Sequence, residues 1–203
     1  NRESAERPVF SIHKIEEFPS AYEAYYNDHL PFRNGLIRLN SEIEYYIFQS
    51  SSNQNVIKGK DGWLFYNSSV DDNPVETYKG MNLFTEEELA RIKDNLLHSD
   101  SVLEERGIEF VLFIAPNKER IYAEKMPDYY GAPAEWYRTR QLITYLEENT
   151  DIRIVYPYEK LQEAKEKYQK QLYYRLDTHW NYGGGYIGSS ALAEALGVSM
   201  TPL

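Results

Sequence analysis

The second half of the chain alternates between apolar segments and helical segments, and this order limits the folds available to it. Residues 108–115 are continuously apolar apart from Glu109, which is typical of a strand covered on both faces. Residues 134–148 have helical spacing, residues 152–156 are apolar again apart from Arg153, and residues 158–171 form a charged helical segment. Strands separated by helices of this length imply right-handed crossovers. We therefore predict an α/β fold with three layers and a mostly parallel sheet.

The first half predicts a helical arm followed by a small β element. Residues 18–48 have helical spacing that Pro31 interrupts, and residues 56–66 predict two short strands around an Asp61-Gly62 turn. Thr85 and Glu88 predict a capping box on a helix that stops near Gly107. We divide the chain into residues 1–55, an amino-terminal arm and helical segment that packs on the core, and residues 56–203, the α/β domain.

An acid and an imidazole follow residues 172–176, which are aromatic or apolar apart from Arg175 and which we predict to be a strand of the central sheet. Asp177 and His179 are two residues apart, so they can project to the same side, and a carboxylate there can hold an imidazole in the tautomer of a general base. Parallel sheets keep their sites at strand carboxyl ends, so we expect Asn117, after residues 108–115, to open at the same edge. The alternative for the pair is a capping or core hydrogen bond. Residues 183–185 are glycines and predict a sharp turn before a helix over residues 186–196.

Charge and composition exclude several classes of function. A net charge of -10 and a pI near 5.0 disfavour nucleic acid, and they favour a neutral or amino-sugar polymer over a polyuronate. Zero cysteines exclude thiolate metal sites and a cysteine nucleophile. The 19 tyrosines supply many rings that suit sugar stacking. The chain starts at Asn1 without Met or a signal-peptide core, so we interpret it as a sequence whose targeting segment has been removed.

Four short stretches occur in order along the chain: YNDHLPFR at residues 26–33, VIKGKDGWLFY at 56–66, IAPNK at 114–118 and DTHWN at 177–181. Together they resemble the SGNH-hydrolase-like proteins of the alginate O-acetyltransferase group, the AlgX and AlgJ type, and their DHHW relatives. The resemblance implies an SGNH-hydrolase-like fold in circularly permuted order. It also implies an O-acetyltransferase or acetylesterase that acts on an exported polysaccharide through a Ser-His-Asp triad without a cofactor.

The resemblance assigns two members of that triad. His179 would be the general base and Asp177 would orient it, and in this family the serine follows later in the chain, in a Gly-x-Ser turn. The serines that follow His179 here are Ser189, Ser190 and Ser199. The first two fall inside the predicted last helix, and none lies in a strand-to-helix elbow. We therefore expect the nucleophile to lie beyond Leu203, and this chain alone to be inactive.

Several polar residues near the predicted sheet edge are candidate substrate contacts. Asn117 is a candidate oxyanion donor, and Lys118 or Arg120 could hold a sugar or an acyl carbonyl, the alternative being a turn with solvated charges. Trp180 could stack on substrate, although a packing anchor behind the site is favoured. Asn181 could donate to an oxyanion, although capping of the next turn is favoured.

Asp28 and His29 form a second acid–imidazole pair, just before Pro31. They could contact the rim of the site, although a hydrogen bond at a helix terminus is favoured. A metal site built on Asp177 and His179 would need this pair to complete its ligands, so we predict no metal.

A non-catalytic carbohydrate-binding or scaffold component remains the alternative function, because no serine is placed to attack. The family resemblance further implies a membrane-bound O-acyltransferase as the partner that supplies acyl groups. It also implies an extracytoplasmic location, in the periplasm or at the cell surface, with anchoring by an amino-terminal helix outside these residues.

Overall fold

The structure, a computed structural model, describes residues 5–46, 55–71 and 73–201. Its internal contacts divide the chain into two compact units, Asn1–Ser52 and Asn53–Leu203.

The first unit contains two helices, α1 (Phe18–His29) and α2 (Arg33–Tyr46), after a single 3-10 turn at Ile12–Lys14. The break between them falls at Pro31, as predicted, because proline has no N–H to donate to the helix. Phe32, the next residue, has a left-handed backbone with φ 61°. The residues 47–48 that were predicted to extend the helical segment lie outside the described residues.

The second unit is an α/β unit. Its strands are β1 (Val56–Lys58), β2 (Leu64–Tyr66), β3 (Val111–Phe113) and β4 (Arg153–Val155). Its helices are α3 (Pro74–Lys79), α4 (Glu86–Glu104), α5 (Lys118–Ile121), α6 (Arg138–Asn149), α7 (Tyr158–Tyr168) and α8 (Tyr182–Ala195). Short 3-10 turns occur at Lys60–Gly62, Ala123–Lys125 and Asp128–Tyr130.

The strands pair two by two. β1 and β2 are antiparallel, with Ile57 opposite Phe65, and their turn is the predicted one, since Asp61 and Gly62 both have positive φ. β3 and β4 are parallel, with Leu112 opposite Ile154. The α/β class is confirmed, whereas the strands within the described residues form only these two small sheets.

Helix α4 follows its local sequence signals closely. The Thr85 side chain accepts from the Glu88 amide, and the Glu88 carboxylate accepts from the Thr85 amide, so the capping box is confirmed. Beyond its other end Gly107 has φ 68°, and Ile108 N donates to Leu103 O at 3.0 Å. Gly107 therefore ends the helix as predicted.

The predicted strand over residues 172–176 is wrong. This segment belongs to a loop closed by an isolated antiparallel bridge between Tyr173 and Trp180. Leu172 O accepts from Asn181 N at 2.8 Å, so the chain folds back on itself instead of joining β3. Helix α8 also starts earlier than predicted, because the Asn181 side chain accepts from the amides of Gly183 and Gly184.

The hydrophobic core lies between the β1–β2 hairpin, α5 and α7. The ring of Trp63 stacks on Tyr122 with centroids 4.2 Å apart, and Leu161 of α7 is fully buried beside them. Leu172 and Tyr173 join the same cluster, which fixes the start of the 172–181 loop against the core.

Candidate active site

The loop of residues 172–181, hereafter the DTHW loop, is attached at both ends to buried groups. Leu172 N donates to the Tyr122 hydroxyl at 2.8 Å, and the Tyr173 hydroxyl donates to Pro116 O at 2.5 Å. Helix α8 packs against both ends of the loop, because Gly184 closely approaches Leu172 O at the first end and Gly188 closely approaches the Trp180 indole at the second. These contacts position the middle of the loop although it has no regular secondary structure.

Asp177 and His179 form a hydrogen-bonded pair at the tip of this loop. Asp177 Oδ1 lies 2.6 Å from His179 Nδ1 and also accepts from the His179 amide at 2.8 Å. The contact predicted from the sequence is therefore confirmed. Because the carboxylate accepts at Nδ1, it favours the tautomer that leaves Nε2 free of its proton, as a general base requires. Nε2 makes no hydrogen bond to any described residue.

The pair is open to solvent, with the His179 side chain 80% and the Asp177 side chain 58% exposed. The hydrogen bond from the His179 amide, followed by that from its imidazole, lowers the pKa of the Asp177 carboxyl. Asp177 therefore stays ionised at neutral pH, and a negative charge can stabilise an imidazolium that forms beside it.

Two adjoining clefts share His179 in their walls. The first, of about 440 Å³, also contains Asn117, Trp180 and Tyr66. The second, of about 840 Å³, contains Asp177, Tyr174 and Arg175. The imidazole therefore lies between two clefts, and a different substrate molecule could bind in each.

Asn117 lies on the same cleft as His179, although residues 172–176 do not form the second strand on which the sequence prediction of a shared sheet edge depended. It follows β3 and precedes α5, and its side chain makes no capping hydrogen bond. An amide N–H₂ beside an imidazole has the chemistry of an oxyanion donor.

Lys118 has a different environment from the one expected of a substrate contact. Its side chain is buried, and Nζ donates to the carbonyl oxygens of Leu64 at 2.6 Å, Arg175 at 2.9 Å and Asp177 at 3.0 Å. All three N–H donors of the ammonium are used by protein carbonyls. The geometry supports a role inside the protein rather than a contact with substrate.

Arg120 is buried on the other side of α5. Its guanidinium lies 3.4 Å from the Tyr137 ring centroid, and Nη2 donates to Ala134 O at 3.0 Å. It lines a separate cleft with Tyr156 and Tyr158 that does not include His179. Arg120 is therefore not brought to the Asp177–His179 pair.

Trp180 and Asn181 both serve the packing of the DTHW loop. The Trp180 indole meets Phe113 edge-on at 6.1 Å and covers Gly188 of α8, although part of it also lines the first cleft. Asn181 caps α8, and its Nδ2 donates to Gln171 O at 2.6 Å. The sequence favoured packing for Trp180 and capping for Asn181, and the structure shows both contacts.

Asp28 and His29 belong to the first unit. His29 Nδ1 lies 2.9 Å from Tyr25 O within the last turn of α1, and its ring packs on the Tyr25 ring with centroids 4.3 Å apart. An Asp28 carboxylate oxygen accepts from Ala5 N at 3.0 Å. The His29 contact is the helix-terminus hydrogen bond that the sequence favoured, whereas Asp28 bonds to a residue outside α1.

Tyr66 and Asp71 line the first cleft but were not identified from the sequence. The Tyr66 hydroxyl donates to Asp71 Oδ2 at 2.8 Å, and the buried Ser68 hydroxyl accepts from the Asp71 amide at 2.9 Å. Tyr66 ends β2 and also ends the 56–66 stretch, but its residue type alone does not place it at the cleft, and Asp71 lies in the following loop, where no motif marks it. Only the close approach of this loop to the DTHW loop reveals them.

No group of three or more potential ligand side chains that could hold a metal ion occurs among residues 5–46, 55–71 and 73–201. Over the same ranges, no helix combines the length and the hydropathy that a membrane span needs.

Residues 56–202, most of the chain, match a known protein family, described as SGNH hydrolase-like domain, acetyltransferase AlgX. The chain belongs to this family. The match covers most of the second unit, including the β1–β2 hairpin, α5 and the DTHW loop.

Two curated relatives and one solved structure are similar to this AlgX family chain. "Probable alginate O-acetylase AlgJ" of Pseudomonas fluorescens is 27% identical over 188 residues, which are 90% of this chain and 43% of the relative. The Pseudomonas putida protein of the same name is 25% identical over 177 residues, 87% of this chain and 42% of the relative. The O-acetyltransferase domain of Pseudomonas putida AlgJ superposes with a TM-score of 0.50 at 23% identity, over 73% of this chain and 50% of that one. The chain spans less than half the length of the curated relatives that it matches.

Proposed function

We propose that Asp177 and His179 are two members of a Ser-His-Asp triad that transfers acetyl groups to a polysaccharide. The observation that carries the proposal is the 2.6 Å contact between the Asp177 carboxylate and His179 Nδ1, with Nε2 unbonded at a cleft that contains Asn117. Membership of a family described as acetyltransferase supports it, as do relatives named alginate O-acetylase. The serine would come from chain outside these 203 residues.

The proposed reaction has two stages. In the first, His179 Nε2 accepts the proton of the serine hydroxyl while the serine oxygen attacks the acetyl carbonyl of the donor. The bond between the acetyl carbon and the donor oxygen breaks, and the donor oxygen leaves with the proton from Nε2. In the second, a sugar hydroxyl gives its proton to Nε2 and attacks the acetyl-serine, and the serine oxygen leaves with that proton. Water in place of the sugar makes the same site an acetylesterase.

Two groups would stabilise charge during each attack. The Asn117 amide would donate to the oxyanion, and Asp177 would stabilise the imidazolium. We further propose that β3 and β4 are part of a larger, mostly parallel sheet of a three-layer SGNH-type domain. We also propose an extracytoplasmic location, an acyl donor supplied by a membrane-bound O-acyltransferase, and an acceptor that is a neutral or amino-sugar polymer, because the chain carries a net charge of -10.

The test is hydrolysis of an aryl acetate by the full-length protein. His179→Ala should lower kcat by about 10²–10⁴-fold, the usual contribution of a general base. His98→Ala is the matched control, since His98 is exposed on α4, and it should keep the activity of the natural protein. Equal rates for the two variants would exclude the proposed base.

The same assay on the 203-residue chain tests the source of the nucleophile. We expect no turnover, because no serine within the described residues hydrogen-bonds to His179. Robust turnover that is lost in Asp177→Ala would show that the nucleophile lies within these 203 residues.

A binding or scaffold role is the second candidate. It is favoured by the exposed rings of Tyr168, Tyr174 and Tyr182, which line one cleft beside the DTHW loop. This role predicts polysaccharide binding by the full-length protein with no acetyl transfer, and His179→Ala would then change neither.

A further inference from the structure

Lys118 is a buried charge at the centre of three separate segments. Lys118 is 2% exposed, and its Nζ donates hydrogen bonds to Leu64 O in β2 and to Arg175 O and Asp177 O in the DTHW loop. These partners are between 54 and 59 residues away along the chain. The rings of Trp63 and Phe65 lie 5.0 and 5.1 Å from the same nitrogen. One ammonium therefore joins the β1–β2 hairpin, α5 and the DTHW loop.

The DTHW loop depends on such a contact because it has little backbone pairing of its own. Its regular pairing is the single Tyr173–Trp180 bridge, and its attachment to the hairpin is the bond from Leu64 N to Arg175 O at 3.0 Å. The Asp177 carbonyl, directly beside the carboxylate that holds His179, accepts from Lys118. Hydrogen bonds from a charged donor are stronger than those between neutral groups, so this contact can fix the orientation of Asp177.

We propose that Lys118 is a positioning residue for the Asp177–His179 pair: its buried ammonium holds the backbone of the DTHW loop and does not contact the substrate. This inference rests on the proposed acetyl-transfer function. It assigns a role that differs from the substrate contact expected from the sequence. It also explains physically why three of the four sequence stretches occur together, since each contributes to the surroundings of this one nitrogen.

The charge of Lys118 is sensitive to pH. Burial lowers the pKa of Lys118 to about 8, and the carboxylates of Glu119 and Asp177 oppose that effect. Glu119 belongs to α5, and Asp177 belongs to the DTHW loop. Arg175 of the same loop faces Lys118 through its carbonyl oxygen. The hairpin contributes the Leu64 carbonyl oxygen and the uncharged rings of Trp63 and Phe65. Above about pH 8 the amine loses its charge and one of its three donors, so it can no longer bond to all three carbonyls that it joins in the hairpin and the DTHW loop.

The test compares kcat and KM of the full-length protein on an aryl acetate. Lys118→Met keeps an unbranched side chain that is one atom shorter, and it removes the donors and the charge. We expect kcat to fall by about 10²-fold with KM unchanged, because a misplaced base costs that much while ground-state binding is untouched. Lys14→Met, at an exposed lysine that lines none of these clefts, is the control and should match the natural protein. A rise in KM at constant kcat would make Lys118 a substrate contact and overturn the proposal.

A second measurement is the pH dependence of kcat in the natural protein, which does not depend on whether Lys118→Met folds. In the natural protein kcat should decline about tenfold per pH unit above about pH 8, as the charged form of Lys118 is lost. Lys118→Arg, which keeps its charge at all these pH values, should remove that decline. A kcat that stays constant from pH 7 to well above 8 would refute the role. If His179→Ala is inactive while Lys118→Met is fully active, the acetyl-transfer function stands and only this inference fails.

Discussion

Substitution of Gly184 by alanine should destabilise the protein, because α8 approaches the DTHW loop most closely at this residue. A Cβ built on Gly184 would lie 2.1 Å from Leu172 O and 2.7 Å from Trp180 Cβ. The nearer atom is backbone and already accepts from Asn181 N, so it cannot rotate away. Overpacking costs about 1–3 kcal/mol and a weakened hydrogen bond about 1 kcal/mol. We expect a loss of about 2–4 kcal/mol in the free energy of unfolding.

The neighbouring glycine provides the control for this substitution. A Cβ on Gly185 would meet only Trp180, at 3.7 and 3.8 Å, which is ordinary contact. Alanine is a better helix former than glycine, so Gly185→Ala should stabilise the protein by up to about 1 kcal/mol. Urea unfolding monitored by tryptophan fluorescence measures both variants. A Gly184→Ala variant as stable as the natural protein would refute the close approach of α8 to the loop.

Three further predictions concern stability. Leu161→Ala should lower the free energy of unfolding by about 2–5 kcal/mol in the same urea assay, because this side chain is fully buried in the core. Thr85→Ala should cost about 1 kcal/mol through loss of the α4 cap, while Thr85→Ser, which keeps the hydroxyl, should cost much less. Because the pKa of Asp177 is lowered on folding, its contribution is present above the unfolded value of about 3.9 and disappears as the pH falls through the folded value. Unfolding measured between pH 2 and 6 should therefore show a weaker acid dependence in Asp177→Asn.

The features that sequence predicted best are those decided by neighbouring residues. The Asp61-Gly62 turn, the Thr85 cap and the end of α4 at Gly107 each depend on a backbone conformation or a hydrogen bond within a few residues. The Asp177–His179 contact is of the same kind, since its two partners are two residues apart. Such signals act before any tertiary structure forms, so they can be recognised without it.

The features that sequence missed depend on partners far along the chain. Residues 172–176 have the aromatic and apolar content of a strand, yet their backbone groups bond to His179, Asn181, Leu64 and Lys118 instead of to β3. Lys118 and Arg120 have the chemistry of ligand contacts, and only tertiary packing buries them. Residue type indicates what a side chain can bind, whereas its position in the fold determines what it does bind.

The burial of Lys118 also protects it from the reaction that the protein is proposed to perform. An amine with a pKa near 8 is partly unprotonated at neutral pH, and an unprotonated amine reacts with activated acetyl groups. Acetylation would remove both the charge and two of the three donors that join the hairpin and the DTHW loop. Because Lys118 is 2% exposed, such a reagent can reach it only when the loop and the hairpin separate. The rate of Lys118 acetylation, compared with that of the exposed Lys170 by mass spectrometry, would therefore measure how often the site opens.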